Sequence, residues 1–256
     1  MMERVERTLY EPHEIAWTPE RVANLWRSFA TNPSYDNTYF SMHSGASVLQ
    51  FLRGYVSLES RHVLDFGCGR GHMLEHLIDQ SVACRGLEFS EESAAATEAR
   101  LGERPNFDGV IRAQNLPTAL QNKTEDVVLL IEVVEHLFDE QLVPTMREAY
   151  RILRPGGYVI ATTPHTEDLV ANMMHCPDCG ATFHRWQHMR SVTPTALSGW
   201  MREAGFREVV CRPIYFRPQA TIFGRLYQKL YSGYRRLRGD NPQFPHLIFI
   251  GQKSEF

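Results

Sequence analysis

The sequence predicts an α/β fold, in which a mostly parallel sheet carries helices on both faces. From residue 62 onward, short apolar runs alternate with segments of helical periodicity, and this alternation is typical of parallel sheets covered by helices. The chain has 256 residues, 43% of them hydrophobic, which suffices for one substantial core. A formal net charge of −3 gives no overall attraction to polyanions, so a protein dedicated to wrapping nucleic acid is not expected.

Residues 1–60 are predicted to form a helical cap or lid. Thr18 stands at an N-cap position and Pro19 at the first helical position. Four apolar residues then recur at helical spacing: Val22, Leu25, Trp26 and Phe29. A second helix is predicted within residues 44–56. The charged amino terminus does not resemble a signal peptide, and no apolar run approaches the ~20 residues that span a bilayer, so a cytoplasmic location is expected.

The remaining elements are predicted in chain order. Strands are expected in "HVLDFG", "ACRGLEF", "DGVI", "EDVVLLIEV" and "GYVIATT". The helices between them are expected in "GHMLEHLIDQ", "SEESAAATEARLG" and "DEQLVPTMREAYRIL". A helix in "TPTALSGWMREAG", a strand in "FREVVCRPIYF" and a helix near 220–238 follow. The last strand, "HLIFIGQ", has no ordinary crossover before it, and we expect it to be antiparallel.

A glycine-rich turn, "VLDFGCGRG" at 63–71, is the strongest motif. Asp65 ends an apolar strand, and Gly67, Gly69 and Gly71 let the backbone turn tightly and let a ligand approach the main chain. Glu88 follows about 20 residues on, at the tip of the next strand, where an acid can hold ribose hydroxyls. Nicotinamide-binding folds favour G-x-G-x-x-G, whereas the spacing here is G-x-G-x-G. A tight turn without a ligand is the other alternative.

Four motifs in order make the chain resemble the class I S-adenosylmethionine-dependent methyltransferases over residues 62 to about 210: "VLDFGCGRG", "GLEFS", "EDVVLLIEVVEHL" and "ILRPGGYVIATTP". The resemblance implies a Rossmann-like sheet of seven strands in the order 3-2-1-4-5-7-6, with S-adenosylmethionine over the carboxyl ends of the strands. Arg112 stands where many relatives carry an acid, so the adenine is assigned to its neighbours. The implied cofactor contacts are Asp65, Gly67, Cys68, Gly69, Gly71, Glu88, Phe89, Ala113, Gln114 and Glu132.

Transfer to a hydroxyl or amine requires removal of a proton, and the residues predicted to assist are His136, His165, His188 and Glu132. "EVVEHL" also resembles the segment of metal-assisted O-methyltransferases, including ubiquinone-biosynthesis enzymes and small-RNA 2′-O-methyltransferases. In those enzymes two glutamates and a histidine bind a divalent ion, which here implies Glu132, Glu135 and His136, with His188 as a further ligand. A purely structural role for Glu135 and His136 stays open, and Mg²⁺ is the less favoured ion.

Cysteine and histidine are concentrated in "HCPDCGATFHRWQH" at 175–188. Cys176, Cys179, His184 and His188 form a set that a structural Zn²⁺ could accept. The insertion 165–192 lacks apolar periodicity, and an ion would order it. The alternative is a reduced thiol pair in a flexible loop, with His188 in the acceptor site.

Residues 61–256 are thus assigned to a methyltransferase domain. Its predicted activity is methyl transfer from S-adenosylmethionine to an oxygen of a small molecule, such as a sugar, a quinol or a secondary metabolite. Metal-assisted RNA 2′-O-methylation and a non-catalytic zinc-containing binding module are the alternatives. The basic amphipathic segment 220–238 is predicted to contact a membrane surface, to dock on its own domain or to form a homodimer.

Overall fold

We describe residues 10–216 and 245–255 of a computed structural model. The strands are β1 (His13–Glu14), β2 (His62–Phe66), β3 (Ala83–Glu88), β4 (Phe107–Arg112), β5 (Glu125–Ile131), β6 (Leu153–Pro164), β7 (Met173–His175), β8 (Ala181–His184), β9 (Arg207–Ile214) and β10 (His246–Gln252). The α-helices are α1 (Pro19–Thr31), α2 (Phe40–Leu52), α3 (His72–Ile78), α4 (Glu91–Leu101), α5 (Asp139–Ile152) and α6 (Pro194–Glu203). Two 3₁₀ helices cover Pro33–Thr38 and Val170–Asn172.

The main sheet has seven strands in the order β4-β3-β2-β5-β6-β10-β9. The five strands from β4 to β6 pair in parallel, whereas β10 is antiparallel to both β6 and β9. Counted within this sheet alone, the order is 3-2-1-4-5-7-6. The predicted fold class, strand order and antiparallel last strand are therefore confirmed.

The core lies on both faces of the sheet. Along β5, Val127, Leu129 and Ile131 join the cluster that packs under α2, α3 and α4, and Val128 and Leu130 join the cluster under α5 and α6. Successive strand residues point to opposite faces, so a continuous apolar run is required when both faces are covered.

The amino-terminal cap folds over the carboxyl edge of the sheet. Thr18 accepts a hydrogen bond from the Arg21 backbone N–H and caps α1, as predicted. The helix α2 begins at Phe40, four residues before the predicted segment. Arg27 of α1 pairs with Glu92 at 2.6 Å, and Asp36 pairs with Arg70 of the glycine turn at 2.9 Å. The cap is thereby tied to the turn after β2.

A second, three-stranded sheet in the order β1-β8-β7 orders the insertion 165–192, where no strands were predicted. The hairpin β7–β8 is antiparallel, and β1 pairs in parallel with β8. Gly180 allows this junction because its φ is +81° and a Cβ there would lie 2.5 Å from the Glu11 carbonyl oxygen. Backbone pairing therefore provides the order that was assigned to a metal ion.

The predicted amphipathic helix at 220–238 lies outside the described residues. Among the residues that are described, no helix has both the length and the apolar character needed to cross a bilayer.

Candidate active site

The glycine turn joins β2 to α3. Gly67, Gly69 and Gly71 have φ values of 79°, 54° and 77°, a region that side chains disfavour. A Cβ at Gly69 would lie 3.4 Å from the Tyr39 ring, and a Cβ at Gly67 would lie 3.1 Å from Val133. The turn is therefore enclosed by the amino-terminal cap on one side and by the segment after β5 on the other.

Glu88, at the end of β3, organises this turn. Its Oε2 accepts the Gly69 N–H at 2.7 Å, and its Oε1 accepts the N–H groups of Phe89 and Ser90 at 2.8 and 2.9 Å. Burial raises the pKa of Glu88, although these three hydrogen bonds oppose the change. Burial, and then the charge of Glu88, raises the pKa of Asp65 to about 7. The two acids thus stand on adjacent strands beside the turn.

Other predicted cofactor residues lie around this turn. The buried Tyr39 hydroxyl has no hydrogen-bond partner among the described residues, and Phe89 is 45% exposed with its ring 5.9 Å from that of Phe66. Ala113 is buried and its N–H donates to the Glu88 carbonyl at 2.9 Å, whereas Gln114 is exposed. Cys68 is different, because a Cβ at Gly86 would meet its Sγ at 2.6 Å. Its side chain therefore packs inward.

A second group of polar residues follows β5 at the same edge of the sheet. Glu135, His136 and His188 each offer one ligand atom, and these atoms lie within 4.8 Å of one another. The Met189 N–H donates to the Glu135 carbonyl at 2.8 Å, and the Gln187 side chain donates to the His136 carbonyl at 2.8 Å. These two bonds bring His188 of the insertion to the residues after β5.

Glu135 is buried and its described neighbours compensate it only in part, because burial raises its pKa more than its own backbone N–H and the Thr163 hydroxyl lower it. Its side chain is 1% exposed, and neither carboxylate oxygen has a hydrogen-bond partner among the described residues. Burial, reinforced by the nearby charge of Glu132, raises its pKa well above the usual range. Glu132 itself has a φ of +53°, and its Oε2 lies 3.5 Å from Nδ1 of His246.

His136 is held as a neutral imidazole. Burial, and then the neighbouring His188, lowers its pKa to about 3, and its Nδ1 has no hydrogen-bond partner among the described residues. The edge of Trp26 from α1 covers the ring, with the ring centroids 5.0 Å apart. The cap therefore forms one wall of this group of residues.

Glu167 and His184 belong to the same region, and sequence reasoning gave Glu167 no role. The atoms of Glu167, His184 and His188 form a second group within 4.8 Å. Burial alone would raise the pKa of Glu167, but hydrogen bonding and charge from the two histidines lower it to about 2. The sequence did offer one signal for Glu167: it lies two residues after His165, shortly after the fifth strand of the parallel series.

The predicted Cys₂His₂ set is not assembled. Cys176 and Cys179 lie in the turn of the β7–β8 hairpin, while His184 is at the far end of β8, opposite Met173. Four residues of extended chain separate Gly180 from His184 by about 13 Å. In the described residues, neither cysteine joins a group of three potential ligands. The backbone N–H groups of Cys179 and Asp178 lower the pKa of the Cys176 thiol.

His165 is also separate from the groups described above. It lies just after β6, where it pairs with Val192, and its backbone N–H donates to the Pro245 carbonyl at 2.9 Å. Neither group of potential ligands in the described residues includes it. His136 and His188 are thus the predicted histidines that the structure brings together.

The fold and the glycine turn define the class of protein. Residues 43–211 match the family model described as a methyltransferase domain, and the chain belongs to this family of class I S-adenosylmethionine-dependent methyltransferases. S-adenosylmethionine is the cofactor of the class, and the glycine turn, Glu88 and the Tyr39 hydroxyl, which lacks a partner among the described residues, suit it.

Two relatives with described functions resemble this chain in sequence. A Mycolicibacterium smegmatis protein described as a probable S-adenosylmethionine-dependent methyltransferase is 36% identical over 147 residues, which are 57% of this chain. The match covers 52% of that relative, so the chain spans about half of its length. A ubiquinone biosynthesis O-methyltransferase from Cupriavidus pinatubonensis is 24% identical over 187 residues, covering 68% of this chain and 72% of that protein.

Solved structures agree on the fold. A Burkholderia thailandensis 1,6-didemethyltoxoflavin-N1-methyltransferase, solved with bound 1,6-didemethyltoxoflavin and S-adenosylhomocysteine, has a TM-score of 0.58 at 16% identity, over 94% of this chain and 92% of that chain. A methyltransferase from Archaeoglobus fulgidus has a TM-score of 0.56 at 22% identity, over 82% and 95% of the two chains.

Proposed function

We propose that this protein transfers the methyl group of S-adenosylmethionine to a hydroxyl oxygen of a small molecule, and that a divalent cation at Glu135, His136 and His188 assists. The observation that carries the proposal is the buried carboxylate of Glu135, whose two oxygens lack partners among the described residues beside two imidazoles. Such a group is costly unless a cation or donor compensates it. The ubiquinone biosynthesis O-methyltransferase among the relatives supports an oxygen acceptor.

The donor set favours a first-row transition metal over Mg²⁺. One carboxylate and two imidazoles suit Zn²⁺, Mn²⁺ or Fe²⁺, whereas Mg²⁺ prefers oxygen ligands. A neutral His136 is ready to act as a ligand. A bound cation would supply positive charge that lowers the pKa of the acceptor hydroxyl near it.

The chain's own residues would arrange the reactants. The glycine turn and Glu88 would hold the cofactor over β2 and β3, and the residues after β5 lie beside this turn because parallel strands end at a common edge. The reaction breaks the methyl–sulfur bond and forms a methyl–oxygen bond, and the hydroxyl proton leaves to solvent. In-line alignment of these atoms is the main demand of such a displacement.

Aromatic side chains beside His136 support a small acceptor. Phe29, which is 7% exposed, contacts Tyr35 and Trp186 with ring centroids 4.5 and 5.6 Å apart. Trp26 covers His136 from the same helix. Rings this close to the polar group favour a compact, planar acceptor such as a quinol over a wide polymer groove.

The test is methyl transfer from radiolabelled S-adenosylmethionine to a panel of catechols, phenols and sugars, with amines and a short RNA as further arms. We expect transfer to a hydroxyl that is lost with chelator and restored by Mn²⁺ or Zn²⁺. His136→Ala is expected to abolish it, and His13→Ala, which changes an exposed histidine of β1, is expected to preserve it. Transfer to RNA or amines alone, or transfer indifferent to chelator, would contradict the proposal.

A further inference from the structure

His188 has two ring nitrogens in different surroundings. Its Nδ1 contacts Oε2 of Glu167 at hydrogen-bond distance. Both side chains are nearly enclosed, with 9% of the His188 side chain and 13% of the Glu167 side chain exposed. A carboxylate can only accept a hydrogen bond. The proton of a neutral His188 ring therefore belongs on Nδ1, which leaves Nε2 as the ring atom with a lone pair.

The second carboxylate oxygen of Glu167, Oε1, also has contacts that hold the side chain in place. Oε1 accepts the Asn172 side-chain N–H at 2.8 Å and lies 3.4 Å from Nε2 of His184. The Nδ1 atom of His184 accepts two backbone N–H groups, from Trp186 at 3.3 Å and from His188 at 3.0 Å. Since that Nδ1 must be unprotonated, a neutral His184 carries its proton on Nε2, facing Glu167.

We infer that Glu167 and His184 are positioning residues that fix the tautomer of His188, with the proton on Nδ1 and the Nε2 lone pair free for a cation that Glu135 and His136 would also bind. Backbone N–H groups orient His184, His184 and Asn172 orient Glu167, and Glu167 orients His188. The His184 ring stacks on the His188 ring, with centroids 4.6 Å apart and planes 25° apart, and this contact restricts the orientation of both imidazoles. The inference deepens the proposed function and rests on it.

This arrangement also decides between the two groups of potential ligands. His184 has its Nδ1 lone pair engaged by two backbone donors and its Nε2 protonated, so it has no lone pair for a cation. A histidine that ligates a metal commonly donates its other N–H to a carboxylate, which fixes the ring and raises its basicity. Glu167 fills that supporting place, and Glu135, His136 and His188 remain as the ligands.

Glu167→Gln gives a sharp test because an amide offers one acceptor and one donor. Asn172 donates to the Oε1 position and requires the acceptor there, and His184 Nε2 lies 3.4 Å from the same atom. The amide NH₂ then faces Nδ1 of His188 and must be accepted there, which forces the His188 proton onto Nε2. Glu167→Asp keeps a carboxylate and is expected to keep the Nδ1–H tautomer even if the shorter side chain loosens the packing.

The measurement is the His188 tautomer by long-range ¹H–¹⁵N NMR at mildly alkaline pH, together with Mn²⁺ affinity by calorimetry. We expect Nδ1–H in the native protein, in Glu167→Asp and in the control Glu14→Gln, and Nε2–H in Glu167→Gln. We also expect Glu167→Gln to weaken Mn²⁺ binding about 10- to 100-fold, with the control unchanged. Circular dichroism and S-adenosylmethionine affinity check that each variant is folded.

The two proposals fail in different ways. A native His188 with its proton on Nε2, or a tautomer that Glu167→Gln leaves unchanged, would overturn the positioning role whatever the cation does. A protein that binds no Mn²⁺ or Zn²⁺ but shows the expected tautomer change would support the positioning role and overturn the cation at Glu135, His136 and His188.

Discussion

Burial of the Glu135 carboxylate costs free energy that the described residues offset only in part, since burial raises its pKa more than its own backbone N–H and the Thr163 hydroxyl lower it. Backbone strain lies close by, because Glu132, Thr166 and Gln187 have φ values of 53°, 47° and 58°. Each such non-glycine position costs of the order of 1–3 kcal/mol. Several unfavourable contributions to folding free energy thus occur within one group of residues, which is typical of residues retained for function.

Glu135→Gln is therefore expected to stabilise the metal-free protein by about 1–3 kcal/mol, because a neutral amide replaces an acid whose charged form is disfavoured by burial. The same change should abolish the rise in melting temperature that Mn²⁺ or Zn²⁺ gives the native protein. Thermal melts with and without the ion measure both effects. Glu140→Gln, which changes an exposed acid in the first turn of α5, is the control and should alter neither.

The positions of single site residues were predictable from sequence where local spacing determines them. The glycines of the turn follow β2, Glu88 ends β3, and Glu135 and His136 come shortly after β5, so the parallel fold places them at one edge. Glu167 was missed because its role depends on a contact with His188, 21 residues away. The cysteine pair was misleading for the converse reason: its local spacing suits zinc, but the hairpin carries His184 away from it.

At the scale of elements, α1 is tied to the site mainly by aromatic contacts. Phe29→Ala should remove the contacts with Tyr35 and Trp186 and increase the opening of α1. Hydrogen exchange is the measurement, and we expect faster exchange in 19–31 and 181–188 with little change in β2–β6. Tyr55→Ala, at a ring that is 39% exposed, is the control. Equal acceleration throughout the sheet would show that α1 belongs to the global core.

A network at the amino ends of the strands links four neighbours in the sheet. His62 of β2 bonds Glu125 of β5 and Asp108 of β4, each at 2.8 Å, and Arg85 of β3 also contacts Glu125. The hydrogen bond to Glu125 is the main cause of a raised His62 pKa, opposed by burial. This network lies at the edge opposite the glycine turn, so it serves stability.

The raised pKa of His62 predicts a pH dependence. A proton bound more tightly in the folded state stabilises it fully below the ordinary pKa of 6.5, and the benefit is lost as pH rises through the higher folded value. Urea unfolding between about pH 6 and pH 9, compared with His62→Gln, isolates this contribution. The free energy of unfolding of the native protein should exceed that of His62→Gln by an amount that decreases as pH rises. A difference that stays constant or grows would contradict the assignment.

For the whole molecule, the sheet could be predicted because each strand is a short apolar run with a helix after it, and right-handed parallel crossovers leave few arrangements. The small β1-β8-β7 sheet could not, because β1 has two residues and β7 three, too few for any periodicity to show. That sheet nonetheless carries His184 and ends beside His188. The insertion is therefore ordered by pairing with residues 13–14.

We propose that the turn after β2 and Glu88 together hold S-adenosylmethionine, and calorimetric titration of the cofactor tests this most directly. We predict saturable one-to-one binding to the native protein, weakened roughly 10- to 100-fold by Glu88→Gln, because a charged hydrogen-bond acceptor is lost. Glu91→Gln, at an exposed acid in the first turn of α4, should bind as the native protein does. Absence of binding, or binding that Glu88→Gln leaves unchanged in a folded protein, would contradict the account.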